Sequence, residues 1–333
     1  MTYTTLSGTD LEISRIILGS WTFAGGMNWG DQSDKQSIRA IHAAADHGIT
    51  TIDTALGYGD GKAQQVVGKA VSDRREKYII LDKIPETMAG YEGSINAAEQ
   101  CLKNLGTDYI DLLQLHWDNP DVPVEETLRA ALKLRQDGKI RHFGVCNFGV
   151  EQMRRLDAVG ELTIASNQLP YSLLARSIEY EIQPECERRG LSMLAYSPIA
   201  QGLLAGKFDN ADQVPEGRAR TRHFSNDRPN ARHGEPGCEE ETFGAIARIA
   251  DICQSRNVSM SAVALSWVLH QPMVAAAIVG ARNDEQTAHN AAAADLKLDD
   301  QMIQSLDAAT EVVKERLGRN ADLWQSGDST RIR

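Results

Sequence analysis

Four side chains in this chain could do chemistry together: Asp53, Tyr58, Lys83 and His116. Asp53 lies at the end of the apolar run Thr50–Thr54, and Tyr58 follows within the glycine-rich stretch Gly57-Tyr58-Gly59-Asp60-Gly61. Lys83 ends the run Tyr78–Lys83, and His116 ends Ile110–His116. A cation beside a phenol favours the phenolate and lowers its pKa towards neutrality, so a Tyr–Lys pair can give and take a proton. An aspartate paired to that lysine would orient it and keep it charged. The histidine could hydrogen-bond the same substrate oxygen. Singly, each residue has a plainer explanation: a loop cap for Asp53, a satisfied rim position for Tyr58 or His116, a solvated surface for Lys83. A lysine in such a place can also be an amine nucleophile. The joint placement on three successive strand ends sets the four apart.

That placement depends on the elements, because residues just past the C-terminal ends of parallel strands converge on one face. Strand-like apolar runs occupy Ile16–Ser20, Thr50–Thr54, Tyr78–Lys83, Ile110–His116, His142–Asn147, Ala165–Leu169, Leu191–Tyr196 and Ala275–Val279. Several are apolar nearly throughout, as strands buried on both faces should be. Helical periodicity between them predicts helices near 34–47, 63–71, 93–105, 124–137, 150–158, 177–189, 241–256, 284–293 and 300–315. Gly48, Gly106, Gly138 and Gly190 each follow a helical stretch, where a left-handed cap is wanted. Strands alternating with helices imply βαβ units and a parallel sheet, and eight of them favour a closed (β/α)8 barrel as one domain over residues 1–333. Three segments stand outside the repeat. Residues 3–14 read as a hairpin capping one barrel end, residues 206–240 as a long polar loop after strand seven, and the tail 318–333 as a lid or a disordered end.

Composition removes several classes. With Lys+Arg 35 against Asp+Glu 46, the net charge of −11 repels phosphate backbones, so nucleic acid and anionic membranes are poor partners. A local basic pocket can still hold a small anion. Five cysteines without a C-x-x-C pair argue against a disulfide framework or a zinc site and for a reducing compartment. The N-terminus lacks the charged and apolar regions of a signal peptide, and no apolar run approaches the ~18 residues of a membrane span, so a soluble cytoplasmic protein is expected. No G-x-G-x-x-G follows the first strand, since Lys62 sits where the last glycine of the Gly57–Gly61 stretch would belong. An open Rossmann fold is therefore not supported.

The stretch I-D-T-A-L-G-Y-G-D-G-K-A-Q-Q-V-V-G-K-A around Asp53 and Tyr58 resembles the signature of the aldo-keto reductases. The segments D-K-I at Lys83, D-L-L-Q-L-H-W-D at His116, G-V-C-N-F (144–148), S-N-Q-L-P-Y (166–171), A-Y-S-P-I-A-Q-G-L-L-A-G-K-F (195–208) and I-V-G-A-R-N-D-E-Q-T-A-H-N (278–290) continue the resemblance in order. It implies a (β/α)8 barrel and direct hydride transfer between nicotinamide C4 and a carbonyl carbon, with no metal. Tyr58 would be the general acid for reduction and the base for oxidation, its pKa depressed by Lys83 linked to Asp53, and His116 would orient the carbonyl. The resemblance also implies a cofactor site. Asn147 and Gln168, beside Cys146, would hold the carboxamide, with Tyr196 stacked on the nicotinamide and Gly19, Ser20 and Trp21 at the first strand's turn. Ser197, Ile199, Gln201, Gly202, Leu203 and Lys207 would follow the pyrophosphate. Gly280, Ala281, Arg282, Gln286 and Asn290 would surround the adenosine phosphate, where a helix N-terminus and a bidentate guanidinium suit an anion.

The chain departs from the family pattern at Cys146, at W-D-N-P after His116, and at Gly-Ala-Arg in the phosphate loop. NADP(H) is the expected cofactor, with NAD(H) the alternative. For substrate, Trp21, Phe23, Trp29, Tyr58, His116 and Trp117, with Arg220, Arg222, His223, Arg228, Arg232 and His233 of the long loop, suggest a hydroxylated carbonyl such as a small sugar or polyol. Trp324 would close over the site or pack the tail. Two other classes compete: a dinucleotide-sensing binding module, since the resemblance extends to potassium-channel beta subunits, and a Schiff-base aldolase using Lys83.

Overall fold

The computed structural model describes residues 1–158, 160 and 162–333, the side chains of residues 27, 28 and 158 excepted. Eight parallel strands close into a barrel: β3 (Ile16–Gly19), β4 (Thr51–Asp53), β5 (Ile79–Ile84), β6 (Ile110–Leu115), β7 (Ile140–Cys146), β8 (Ile164–Pro170), β9 (Ser192–Tyr196) and β10 (Val274–Gly280). β10 pairs with β3, Gly280 opposite Gly19, and this pairing shuts the ring. A small interior core of Ile17, Leu81, Leu112, Ala165, Leu194 and Ala276 fills the barrel. A much larger core lies between the strands and the surrounding helices, so alternate strand residues serve two apolar environments.

Around the barrel run α1 (Gly26–Trp29), α2 (Asp34–Asp46), α3 (Lys62–Val71), α4 (Tyr91–Leu105), α5 (Val124–Gln136), α6 (Val150–Arg155), α7 (Ile182–Arg189), α8 (Glu239–Ser255), α9 (Met260–His270), α10 (Asp284–Ala293) and α11 (Asp300–Leu317). The nine helices expected from periodicity are present, although the segments 150–158 and 177–189 each divide into a short α-helix and a 3₁₀ turn. The short α1 was not foreseen, nor was α9. Its residues Val263–Leu269 are all buried, and a helix apolar on every side has no amphipathic period to read. Gly48, Gly106, Gly138 and Gly190 all adopt positive φ at helix ends.

The antiparallel pair β1 (Tyr3–Thr5) and β2 (Glu12–Ser14) closes the end of the barrel away from the strands' C-termini. Leu6, Leu11 and Ile13 join the interior core as a plug, and the Ser7 amide bonds Ser192 Oγ at the start of β9 at 2.9 Å. Segment 206–240 has no regular element beyond the turn Ala211–Gln213 and the start of α8 at Glu239. The chain after α11 is packed rather than loose. Asp322 is fully buried and pairs with Arg331 at 2.8 Å, and the Arg333 carbonyl accepts from the Glu151 and Gln152 amides at the start of α6. No helix among the described residues is long and apolar enough to cross a membrane.

Candidate active site

Tyr58, Lys83, Asp53 and His116 meet at the C-terminal mouth of the barrel. The inward face of β5 carries Leu81 and then Lys83, whose Nζ is wholly buried. That ammonium donates to Asp53 Oδ1 at 2.7 Å, to the Thr54 carbonyl at 2.8 Å and to the Tyr58 hydroxyl oxygen at 3.4 Å. All three of its donors are thus spent on the two ends of the β4 turn. The His116 ring lies edge-on to Tyr58, with centroids 6.1 Å apart. Asp53 is held from its other oxygen by Gln168 Nε2 at 2.8 Å.

Electrostatics differ from the expectation in one respect. Burial pushes the Tyr58 phenol up to about 12; Lys83 pulls it down, Asp53 pushes it further up, and burial prevails. In this structure the phenol is a protonated acid, so the expected depression of its pKa is not what the geometry produces. Burial alone would favour a neutral Lys83, but Asp53 reverses that and holds it charged, above its ordinary value. His116 is pushed down to about 3 by burial, with Lys83 and Arg331 adding to it, so it is a neutral imidazole. Cys146, fully buried and coupled to Lys83 and Asp53, is an inert thiol raised by burial.

Aromatic rings wall the mouth. Trp21 stacks on Tyr58 with centroids 6.0 Å apart, and Trp29 meets Trp21 edge-on at 5.3 Å. Across from them Trp324 of the tail stacks on Tyr196 at 6.0 Å and meets Trp117 edge-on at 6.3 Å, while the Arg331 guanidinium covers Trp117 at 3.7 Å. Phe23 is corrected: it is 2 % exposed and packs in the outer core, so it offers no surface to a substrate. The changed W-D-N-P segment anchors the rim, with Asp118 bonded by Gln152 Nε2 at 3.1 Å and by Arg155, and Asn119 bonded to the Glu86 carbonyl.

Of the residues expected to contact the cofactor, Ser197, Gln201 and Leu203 line one cavity together with Ala200, Arg218 and His223. Asn147 accepts the Tyr196 hydroxyl proton at 2.9 Å and donates to the His116 carbonyl at 3.0 Å. Asn147, Ser197, Ala200 and Gln201 all have positive φ, an unusual concentration for non-glycine residues, with Gly202 at +97° continuing the run. Such strain persists where main-chain groups are aimed at a purpose. Leu203 turns its side chain into the core, leaving only its main chain for a ligand, and Lys207 is exposed. Beyond Gly280 and the buried Ala281, Gln286 and Asn290 brace the loop by bonding the Arg282 amide and the Gly280 carbonyl. The Arg282 guanidinium is bonded by Gln32 Oε1 at 2.9 Å and by the Asp31 carbonyl, both uncharged.

Much of the long loop is structural. Arg222 bonds the Leu317 and Asn320 carbonyls and Glu235, His223 bonds the Leu174 carbonyl, His233 bonds that of Thr221, and Arg228 pairs with Glu239 and Asp212. Arg222 thus fastens the tail and Arg228 fastens α8, while His223 ties the loop to the segment after β8 and lines a cavity with Ser197, Gln201 and Arg218, and His233 ties the loop to itself. Arg220, by contrast, lies 5.9 Å from the Trp21 ring with a buried, unbonded Nε. The reading of the sequence passed over Arg218. Its guanidinium sits 3.3 Å from the Gln201 carbonyl and over Phe208, its Nε is also buried without a partner, and burial and the charge of Arg282 both oppose its own charge. The sequence carries no signal for it, since an arginine in a loop gives no sign of its neighbours until the loop is placed.

A sequence profile of the Aldo/keto reductase family matches residues 15–311. Among curated proteins, the chain is 35 % identical to "Aldo-keto reductase YhdN" of Bacillus subtilis, covering 86 % of each. It is 30 % identical to "NADH-specific methylglyoxal reductase" of Escherichia coli, over 89 % of this chain and 94 % of that one. Among solved structures, an aldo-keto reductase from Klebsiella pneumoniae in complex with NADPH superposes with a TM-score of 0.72 at 28 % identity, covering 100 % of this chain and 99 % of that one. The chain belongs to the aldo/keto reductase family and is an NAD(P)H-dependent oxidoreductase.

Proposed function

We propose that the protein reduces small polar carbonyl compounds, aldehydes, ketones or sugar- and polyol-derived carbonyls, with Tyr58 as the proton donor and NADP(H) as the preferred cofactor. The observation that carries this reading is Lys83 Nζ bonded at once to Asp53 and Tyr58 at the barrel mouth. Because the ammonium donates to the phenol oxygen, the phenol's own proton is left free for a substrate oxygen. Neutral His116, beside that oxygen, can donate or accept without adding charge. As the carbonyl oxygen takes on negative charge, the Tyr58 proton moves to it, and the phenolate left behind is stabilised by Lys83, whose own charge Asp53 sustains. In the reverse direction the same phenolate accepts a proton from an alcohol.

The residues present fit a dinucleotide. The cofactor, when bound, supplies the hydride. Asn147 and Gln168 would hold its carboxamide, Tyr196 its nicotinamide face, the strained segment 197–203 with Arg218 its pyrophosphate, and Arg282 its adenosine phosphate. Among the described residues the buried Nε atoms of Arg218 and Arg220 have no partner and Arg282 is bonded only by neutral groups, so an anion here would relieve repulsion already present. Arg282 supports a preference for the 2′-phosphate. The aromatic walls with a few polar donors support a small hydroxylated or dicarbonyl substrate, and a relative named for methylglyoxal is consistent with that size. The charged state of Lys83 counts against a Schiff-base role, which needs a neutral amine.

Tyr58→Phe removes only the proton. With methylglyoxal and NADPH, kcat is expected to fall by about 10²–10⁴-fold, the usual range for a general acid, with NADPH affinity unchanged by fluorescence titration. Undiminished turnover would refute the role of Tyr58. Arg282→Ala is expected to weaken NADPH binding by about 10–100-fold, a loss of roughly 1.5–3 kcal/mol for a charged hydrogen bond, and to leave NADH nearly unaffected. Equal losses for both cofactors would remove the argument for NADP(H).

A further inference from the structure

On β5 the residues alternate between two surroundings. Leu81 and Lys83 face the barrel interior, while Ile80 and Ile84 enter the apolar layer beneath the helices. Asp82 shares that outer side and is 0 % exposed, a carboxylate in a hydrophobic layer. Such a group is costly unless its oxygens are bonded. Among the described residues no ion pair involves it. Its partners are the Lys83 amide, which donates to Oδ1 at 2.8 Å, and Gln64 Nε2, which donates to Oδ2 at 2.7 Å. Asp111 on β6 shows the usual remedy: it likewise accepts a strand amide, that of Ile80, but it is neutralised by Arg75 at 2.7 Å and Arg141 at 3.1 Å.

Both partners of Asp82 belong to the catalytic geometry. β5 directs the main-chain groups of Ile79 and Leu81 towards β4, bonding the Thr50 carbonyl and the Thr54 amide. β4 ends at Asp53, where the chain leaves to form the turn bearing Tyr58, so the next amide of β5 in that direction, that of Lys83, has no strand to meet. The Asp82 carboxylate takes the place of the missing strand. Gln64 stands in the first turn of α3, the helix that begins at Lys62 after the Gly59–Gly61 turn beyond Tyr58, and the Ala63 amide bonds the Tyr58 carbonyl at 3.2 Å. Gln64 is fully buried, and its oxygen accepts from Asn104 of α4 at 2.8 Å, which fixes which end of its amide faces Asp82.

We propose that the Asp82–Gln64 bond is a positioning bracket that sets the distance between the Lys83 ammonium and the Tyr58 hydroxyl by tying the main chain of one to the helix following the other. This rests on the proposed role of Tyr58. Neither residue touches the reacting atoms, so the bracket governs the chemical step and not binding.

The experiment is steady-state reduction of methylglyoxal by NADPH in Gln64→Glu, in Gln64→Glu with Asp82→Asn, and in Gln64→Leu. Gln64→Glu sets two carboxylates against each other. It is expected to lower kcat at least tenfold with KM for aldehyde and cofactor within threefold. Adding Asp82→Asn exchanges donor and acceptor across the same bond and is expected to restore kcat to within threefold of wild type. Wild-type kcat in Gln64→Glu, or a double variant no faster than that single one, overturns the bracket. Should Gln64→Glu fail to fold, Gln64→Leu decides: a tenfold slower kcat supports the bracket, and the wild-type rate overturns it. Should the wild-type protein turn over no carbonyl, the proposed function alone has failed. The bracket is then read by hydrogen exchange, with the Lys83 amide expected to exchange at least tenfold faster relative to Leu81 in Asp82→Ala than in wild type, and an unchanged ratio overturning it.

Discussion

At the scale of single residues, burial decides protonation. Lys83 sits 3.4 Å from the Tyr58 oxygen, and a cation so close should draw the phenol towards neutrality. The phenol nevertheless stays up at about 12, and His116 goes down to about 3, because both are desolvated at the mouth. The sign for a reductase follows. An acid with a pKa near 12 is protonated throughout the working range, and a base near 3 is neutral throughout it. The pH profile of kcat for carbonyl reduction is therefore expected to be flat from about pH 7 to 9, above the Asp82 carboxyl that burial raises to about 6, while alcohol oxidation, which needs the phenolate, should rise with pH. A limb near pH 6.5 in the reductive profile that vanishes in His116→Gln would show His116 titrating and contradict the neutral assignment. Identity and order of these residues were legible in the sequence; their charge states were not, since desolvation depends also on Trp21 and the tail, which arrive from distant positions.

At the scale of elements, the tail behaves as a docked strap. Trp324 and Arg331 wall the mouth, and the strap is held by Asp322, by Arg222 of the long loop and by the α6 N-terminus. The last anchor relies on Gly149, where an added Cβ would lie 2.1 Å from the Arg333 carbonyl oxygen. Gly149→Ala is expected to undock the strap, speeding tryptic cleavage after Arg331 and raising KM for carbonyl substrate severalfold with cofactor affinity unchanged. An equally resistant tail with an unchanged KM would show that the strap neither binds there nor shapes the pocket. From the sequence this segment read equally well as a lid or as disorder, because neither the Asp322–Arg331 pair nor the main-chain contacts with Arg222 and α6 leave a local pattern in the chain.

At the scale of the molecule, stability and catalysis occupy opposite ends of the barrel. The plug Leu6, Leu11 and Ile13 joins the interior core on the N-terminal side, away from Tyr58. Leu11, 1 % exposed, should cost about 2–5 kcal/mol on truncation to Ala, lowering the thermal midpoint while leaving kcat at 25 °C unchanged. A large loss of kcat in folded Leu11→Ala would mean that the two ends are coupled.

The sequence by itself determined the eight strands, nearly all of the helices and the four residues of the mouth, because a strand buried on both faces leaves a short apolar run between turns and an amphipathic helix leaves a local period in the chain. It could not disclose α9, whose uniform burial erases that period, nor Phe23's place in the core, nor Arg218 and the Asp82–Gln64 bond. Only the tertiary structure decided those, since each depends on what a side chain meets from a distant segment, and neither composition nor spacing encodes that encounter.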